Sequence, residues 1–290
     1  MQSSEQASVV ITTYNRSNAL LAVLRGLAQQ TDKNFEVIVA DDGSRPEQRD
    51  WMNTDVARSL RVVHVWHPDV GFTASRIRNR GVAVSSSNYL IFMDGDCVPE
   101  VDFIARHKAL AQRGHFINGS RILLSEAFTQ RVLSGQESNE FSITGRSIGY
   151  WIQQYRQGHA NKLFGWLRLP KGWFDFLRIQ PQFSWKRIRS CNLSLWRCDF
   201  ERIDGFDESF IGWGHEDADF VLRLHHAGLV RKNGFFATEV FHLWHKEAAR
   251  NQESHNARIV RDRALTTITQ PAQGYAQERH NDDAVITRLG

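Results

Sequence analysis

The sequence predicts an α/β protein with a Rossmann-like, mostly parallel central sheet flanked by helices, a basic-aromatic insertion and a C-terminal helical tail. Three observations point there. Four runs, Ser8–Thr12, Phe35–Ala40, Leu60–Trp66 and Tyr89–Met93, are apolar nearly throughout rather than alternating, as in strands buried on both faces. Each is followed by a polar loop and then a helical or polar stretch, the rhythm of βα units. With 290 residues, 41% apolar and 23% charged, the chain can bury a core, which excludes collagen-like and disordered classes.

The elements follow in order. The run Ser8–Thr12 stops at Thr13-Tyr14-Asn15-Arg16, after which Ser17 can cap a helix whose apolar residues are Leu20, Leu21, Leu24 and Leu27. Phe35–Ala40 ends at Asp41-Asp42-Gly43-Ser44. Leu60–Trp66 precedes a basic helical segment that runs from Gly71 to about Val84, and Tyr89–Met93 ends at Asp94-Gly95-Asp96. Ligands of such sheets bind beyond the carboxyl ends of the strands, so these three polar loops are expected to converge on one crevice. No GxxxxGK[ST] or GxGxxG follows any strand, which removes the commonest ATP and dinucleotide fingerprints. Further on come Ser190–Trp196, a short helix near Cys198–Ile203, a helix starting near His215 and a last strand candidate, Phe235–Trp244. Periodicity is lost after Pro271, which predicts a mobile end. The expected organisation is a ligand-binding first half at 1–121, an insertion at 122–189, a second half of the same domain at 190–246 and a tail at 247–290.

Charge is uneven. The net charge is +4, yet from Arg146 to Arg189 there are nine Lys/Arg against the single acid Asp175, interleaved with Trp151, Trp166, Trp173 and Trp185. Basic plus aromatic suggests an anionic partner, such as a membrane surface or nucleic acid, or else an insertion that packs its aromatics inward. The longest apolar run, around Ala19–Leu24, is far short of the ~20 residues that span a bilayer, and Met1–Ala7 lacks a signal pattern. Three cysteines give no disulfide framework. A cytoplasmic protein is expected, peripheral on the inner face of the membrane if the insertion docks there.

Chemistry concentrates in three places. Asp94-Gly-Asp96, set at a strand end, offers carboxylates that can hold a divalent cation and through it a diphosphate. His242-Leu-Trp-His245 offers two imidazoles, and mixed carboxylate and imidazole donors suit Mn²⁺ better than an all-oxygen site does. Gly212-Trp213-Gly214-His215-Glu216-Asp217 opens a helix in which Phe220, Val221 and Leu224 follow Asp217 at the spacing of one apolar stripe. Asp217 is thereby expected to face inward, where an acid is costly without a task or partners. Glu216 and Asp219 are expected on other sides, with Asp219 able to pair with Arg223 four residues on.

These residues carry a resemblance. Ser8–Arg16, Val39–Ser44, Gly71–Gly81, Tyr89–Cys97 and Gly205-Phe-Asp-Glu208 with Gly212–Asp217 are similar, in order, to the motifs of family 2 glycosyltransferases of the GT-A fold. The last motif resembles the galactosyltransferase-type C-terminal region shared with β-1,4-galactosyltransferases and bacterial chondroitin-polymerase-like enzymes. The resemblance implies that Thr12, Tyr14 and Arg16 border uridine diphosphate, that Asp42, Phe72 and Arg76 hold uracil and ribose, and that Asp94 approaches the ribose. It implies a metal, Mn²⁺ or Mg²⁺, on Asp96 and His245, with His242 as a further ligand. Asp217 matches the general base, with Glu216, Trp213 and Gly214 at the acceptor and sugar pocket. Thr12 stands where proline is common, and His215 replaces a usual glycine.

The implied activity is inverting, metal-dependent transfer of a sugar from a UDP-sugar to a hydroxyl of a saccharide acceptor, with a lipid-linked or lipopolysaccharide-type glycan as the acceptor expected from the basic insertion. Two other classes compete. A basic nucleic-acid-binding protein fits pI ≈ 9.1, but carboxylates at three strand ends would repel a phosphate backbone. A metal-dependent phosphohydrolase could use the same aspartates.

Overall fold

The structure, a computed structural model, describes residues 5–134, 146–162, 175–180, 182–184, 188, 190–246, 252–279 and 283–290. Within them the strands are β1 (Ala7–Thr13), β2 (Phe35–Asp41), β3 (Val62–Trp66), β4 (Tyr89–Asp94), β5 (Cys97–Pro99), β6 (His115–Asn118), β7 (Arg121–Leu123), β8 (Ile179–Gln180), β9 (Asn192–Trp196), β10 (Val230–Asn233), β11 (Val240–His242) and β12 (Val285–Leu289). The helices are α1 (Ser17–Ala28), α2 (Asp55–Arg58), α3 (Ala74–Val84), α4 (Phe103–Leu110), α5 (Glu126–Leu133), α6 (Ile148–Arg156), α7 (Arg197–Arg202), α8 (Glu216–His226), α9 (Glu253–Arg263) and α10 (Tyr275–Glu278).

The strands form a large sheet in the order β12-β3-β2-β1-β4-β9-β6-β10-β8 and a small one, β5-β11-β7. Pairing is parallel from β3 through β4, where the apolar runs lie. Beyond β4 the sheet is mixed: β9 runs antiparallel to both β4 and β6. The strand expected over Phe235–Trp244 shortens to β11 in the small sheet, and β12, in a stretch without expected order, pairs antiparallel with β3.

Alternate residues of the strands feed two cores, one on each face. Val9 and Ile11 of β1 join Leu20, Leu24 and Leu27 of α1 on one side, while Val10 joins Ile77 and Val82 of α3 on the other. Gly81 lets α3 approach closely, since a Cβ there would stand 2.8 Å from the Val10 side chain. The second core continues into an aromatic cluster: Phe220 of α8 stacks on Phe206 with ring centroids 4.1 Å apart and meets Phe92 of β4 edge-on at 6.3 Å. That cluster fixes α8 against the sheet and so sets where its first turn lies.

Trp151, from the basic-aromatic stretch, is buried and stacks on Phe241 at 4.4 Å, which makes it core rather than a docking surface. Trp166, Trp173 and Trp185 lie outside the described residues. Among the described residues no helix is long and apolar enough to cross a membrane. If the aromatic cluster anchors α8, Phe220→Ala should cost ~3–5 kcal/mol by loss of burial and cavity formation, to be read as a fall in the midpoint of urea unfolding.

Candidate active site

The parallel register brings the polar strand ends level: Thr12 of β1 pairs with Asp94 of β4, and Thr13 with Asp41 of β2. The turn after β2 needs Gly43, whose φ of +94° is in the glycine-favouring region and whose Cβ, if present, would stand 2.5 Å from the Asp69 backbone. Asp41 secures that turn by accepting the Ser44 N–H at 2.8 Å, and its other oxygen meets His64 at 3.0 Å. Beyond the strand ends opens a crevice of about 840 Å³, within the usual range for ligand sites.

Of the residues expected at the nucleotide, Thr12, Tyr14, Arg16, Asp42, Phe72 and Asp94 line this crevice. The Tyr14 hydroxyl donates to Asp69 at 2.8 Å. The Phe72 carbonyl accepts the Gly212 N–H at 3.1 Å, which ties the loop before α3 to the loop before α8. Arg76, expected at uracil and ribose, is not in the crevice wall; it pairs with Glu278 at 3.0 Å and Asp283 at 3.5 Å. The reason is helical geometry, because residues two apart on a helix point about 200° apart. The inward position belongs to Arg78, which the sequence reading passed over. Its signal was present: Ala74 and Val82, four residues either side, are buried on the same stripe.

Arg78 is only 4% exposed. Its Nε donates to the Thr12 hydroxyl at 3.1 Å, one terminal nitrogen to Glu216 at 3.3 Å and the other to Asp94 at 3.3 Å. Burial disfavours its charge, but Asp94 and Glu216 outweigh that and raise its pKa above the usual arginine value. Burial also raises the Asp94 carboxyl, with Arg78 opposing and Asp96 reinforcing the rise.

Asp96, His242 and His245 meet at one point. The register of the small sheet pairs His242 with Cys97, and the Leu243 N–H donates to the Asp96 carbonyl at 2.9 Å. His242 Nε2 lies 3.7 Å and His245 Nε2 3.4 Å from the Asp96 carboxylate, and one donor atom from each residue falls within 4.8 Å of the others. Burial, then the charges of Arg121 and His245, lower His242 to about 3, which keeps its imidazole neutral as a metal ligand must be. One carboxylate and two imidazoles make a mixed oxygen and nitrogen donor set that can hold a divalent cation such as Mn²⁺. Arg16 occupies the same carboxylate, donating to Asp96 at 2.7 Å.

The third part of the wall is the start of α8. Trp213, Gly214, Glu216 and Asp217 line the crevice. The Asn256 side chain of α9 donates to the Gly214 carbonyl at 2.9 Å, and the Asp219 N–H donates to the His215 carbonyl at 2.9 Å. Between these anchors His215 is left-handed, with φ of 71°, the conformation in which glycine is at ease. Burial raises the Asp217 carboxyl to about 7, the adjacent Glu216 charge adds to the rise and Arg78 opposes it; the Ser190 N–H donates to it at 3.4 Å. Asp219 pairs with Arg223 at 2.7 Å, as the four-residue spacing predicts, and also with Arg263 of α9, and it is fully buried. Two arginines supply the partners that an inward acid needs.

Comparison with known proteins matches two stretches of the chain. The sequence pattern described as "Glycosyl transferase family 2" matches residues 8–165, more than half of the chain, and "N-terminal domain of galactosyltransferase" matches residues 175–246. The chain is 30% identical over 246 residues to validoxylamine A glucosyltransferase of Streptomyces hygroscopicus subsp. jinggangensis, covering 77% of this chain and 52% of that protein. It is 28% identical over 241 residues to chondroitin synthase of Escherichia coli, covering 76% and 32%. The chain thus spans about half or less of the length of these relatives. Among solved structures, S. aureus TarS residues 1–349 in complex with UDP-GlcNAc superposes with a TM-score of 0.57 at 14% identity, covering 94% of this chain and 69% of that one. The fold is therefore the GT-A type.

Two outcomes test this geometry. Removing the cation that competes for Asp96 by Arg16→Ala should tighten Mn²⁺ binding roughly tenfold, measured by electron paramagnetic resonance titration without nucleotide. Asp217→Asn should raise the melting temperature at pH 8. The folded-state pKa of this acid is raised, so the folded protein binds the proton more tightly than the unfolded chain and the wild type loses stability as pH rises from about 4 to about 7. The advantage of the neutral asparagine should therefore shrink as pH falls through that window.

Proposed function

This chain belongs to glycosyl transferase family 2, and on that premise we propose that it transfers a sugar, with inversion, from a UDP-sugar to a hydroxyl of a saccharide acceptor. The observation that carries this reading is the single crevice lined by Asp42 and Asp94 at one part, by the Asp96, His242 and His245 cluster at a second, and by Asp217 with Trp213 at a third. A phosphohydrolase has no use for the last of these.

In this mechanism Asp217 accepts the proton of the acceptor hydroxyl as that oxygen bonds to the anomeric carbon. The bond from that carbon to the diphosphate oxygen breaks on the opposite face, and the electron pair leaves with UDP. A base with a pKa near 7 is matched to that transfer at neutral pH. Glu216, held by Arg78, orients the sugar, and Trp213 offers its ring to the acceptor. Mn²⁺ or Mg²⁺ held by Asp96, His242 and His245 would supply positive charge against the departing diphosphate. Arg16 then stands beside the same diphosphate. The acceptor is a cell-surface polysaccharide or lipid-linked glycan; the likeness to chondroitin synthase and the +8 stretch in the sequence support this choice.

Calorimetry and turnover test the assignment together. UDP should bind with Mn²⁺ and lose most of its affinity in EDTA; equal affinity in both would remove the metal. Asp217→Asn should keep the UDP affinity and lose ~10²–10⁴-fold in kcat, whereas near-normal turnover would move the base to Glu216.

A further inference from the structure

Asp42 reaches the crevice with most of its acceptor capacity already used. Its Oδ1 accepts from the Thr73 hydroxyl at 2.5 Å and from His67 Nε2 at 2.9 Å, and its Oδ2 accepts the Thr73 backbone N–H at 2.9 Å. Two bonds fill Oδ1, and one acceptor position on Oδ2 is left for a ligand.

His67 is held from behind. Arg80 Nη1 lies 3.0 Å from His67 Nδ1, and because a guanidinium can only donate, Nδ1 accepts and the ring proton sits on Nε2, directed at Asp42. Arg80 is itself fixed by Glu278 of α10, at 2.5 Å from its Nε, and by Asp283, just before β12. His67 and Arg80 are each 2% exposed and Asp42 is 4% exposed. A continuous line of hydrogen bonds therefore runs from the crevice through Asp42, His67 and Arg80 to two acids contributed by the C-terminal segment. An ion pair between Arg80 and Glu278 would be enough to pin that segment down. It does not account for a further guanidinium N–H placed on the imidazole whose opposite nitrogen meets the crevice carboxylate.

We propose that His67 and Arg80, carried by Glu278 and Asp283, are positioning residues for the nucleotide base, so that these two acids are part of the support of the donor site. By fixing the tautomer of His67 they fix the rotation of the Asp42 carboxylate and leave it as a pure acceptor. Such a group takes the ring N–H of uracil and rejects cytosine, which presents a ring nitrogen lone pair at the same place; an unmet buried acceptor is a strong discriminator. The inference rests on the assignment of the crevice to a UDP-sugar.

The test is calorimetric titration of the full chain with UDP and with CDP in saturating Mn²⁺. The wild type should prefer UDP. Arg80→Met and His67→Leu should each weaken UDP binding roughly tenfold and bring the UDP to CDP ratio toward one, with Mn²⁺ binding in the absence of nucleotide unchanged. His67→Gln, which keeps a side-chain N–H for Asp42, should retain most of the preference. Should Arg80→Met fail to fold, Glu278→Gln takes its place and should lower the ratio in the same direction. A lower melting temperature with an unaltered UDP to CDP ratio in His67→Leu and in the arginine or glutamate variant would overturn the proposal and leave these residues a purely architectural role. A wild type that binds neither nucleotide would sink the donor assignment itself, and the proposal with it.

Discussion

The buried guanidinium of Arg78 is the interaction on which the rest of the site depends. It stands between the end of β1, the end of β4 and the first turn of α8, and donates to a group on each. Asp94, Glu216 and Asp217 would otherwise crowd negative charge into a space shielded from water, where like charges repel strongly. One fixed cation lets Asp94 and Glu216 share it while Asp217, further from it, keeps a pKa near 7. Phe206 lies under the guanidinium with its centroid 5.3 Å away, so the ring that helps seat α8 on the sheet also backs the charge that organises the crevice. The setting apart of one proton-accepting acid from the two that share the guanidinium is thus built into the packing.

The mixed sheet explains why these groups converge. β4 has a parallel neighbour, β1, on one side and an antiparallel neighbour, β9, on the other, and its carboxyl end lies at the crevice. Asp94 sits at that end, and Asp96 follows in the turn to the small sheet. The small sheet then brings His242 to Asp96 by pairing β11 with β5. Ligand sites of α/β sheets form where strand order or direction switches, and here the switch and the second sheet act at the same place.

Much of this was legible in the sequence, and what was not has identifiable causes. β1 to β4 were visible because strands buried on both faces are apolar in every position, and the polar loops at their ends followed from the same reading. The inward placement of Asp217 came from the stripe of Phe220, Val221 and Leu224. The pairing of Asp219 with Arg223 was legible from its spacing, but its second partner, the distant Arg263, was not, because no local pattern connects the two. Arg76 and Arg78 look alike in a basic segment; only the phase set by Ala74 and Val82 tells them apart. β12 went unseen because it is an edge strand whose side chains are mostly half-buried or exposed, although Val285-Ile-Thr287 carries a β-branched signal. His67 meets Arg80 of α3, and Arg80 in turn meets acids of the C-terminal segment, far apart in the chain, and no local pattern connects them.

β12 has one more consequence, for the order in which the protein is made. β3 emerges early in synthesis, and its outer edge, a row of backbone N–H and C=O groups, finds its intramolecular partner only when Val285–Leu289 has left the ribosome. Until then the nascent sheet is open on that side and Arg80 lacks the acids that neutralise it. Pairings of such long sequence separation are slow to close, and exposed edges are where growing chains associate wrongly. Closure of the β3 edge therefore depends on a segment far along the chain, and a chain cut short of α10 and β12 would expose both an adhesive edge and a cation without its acids.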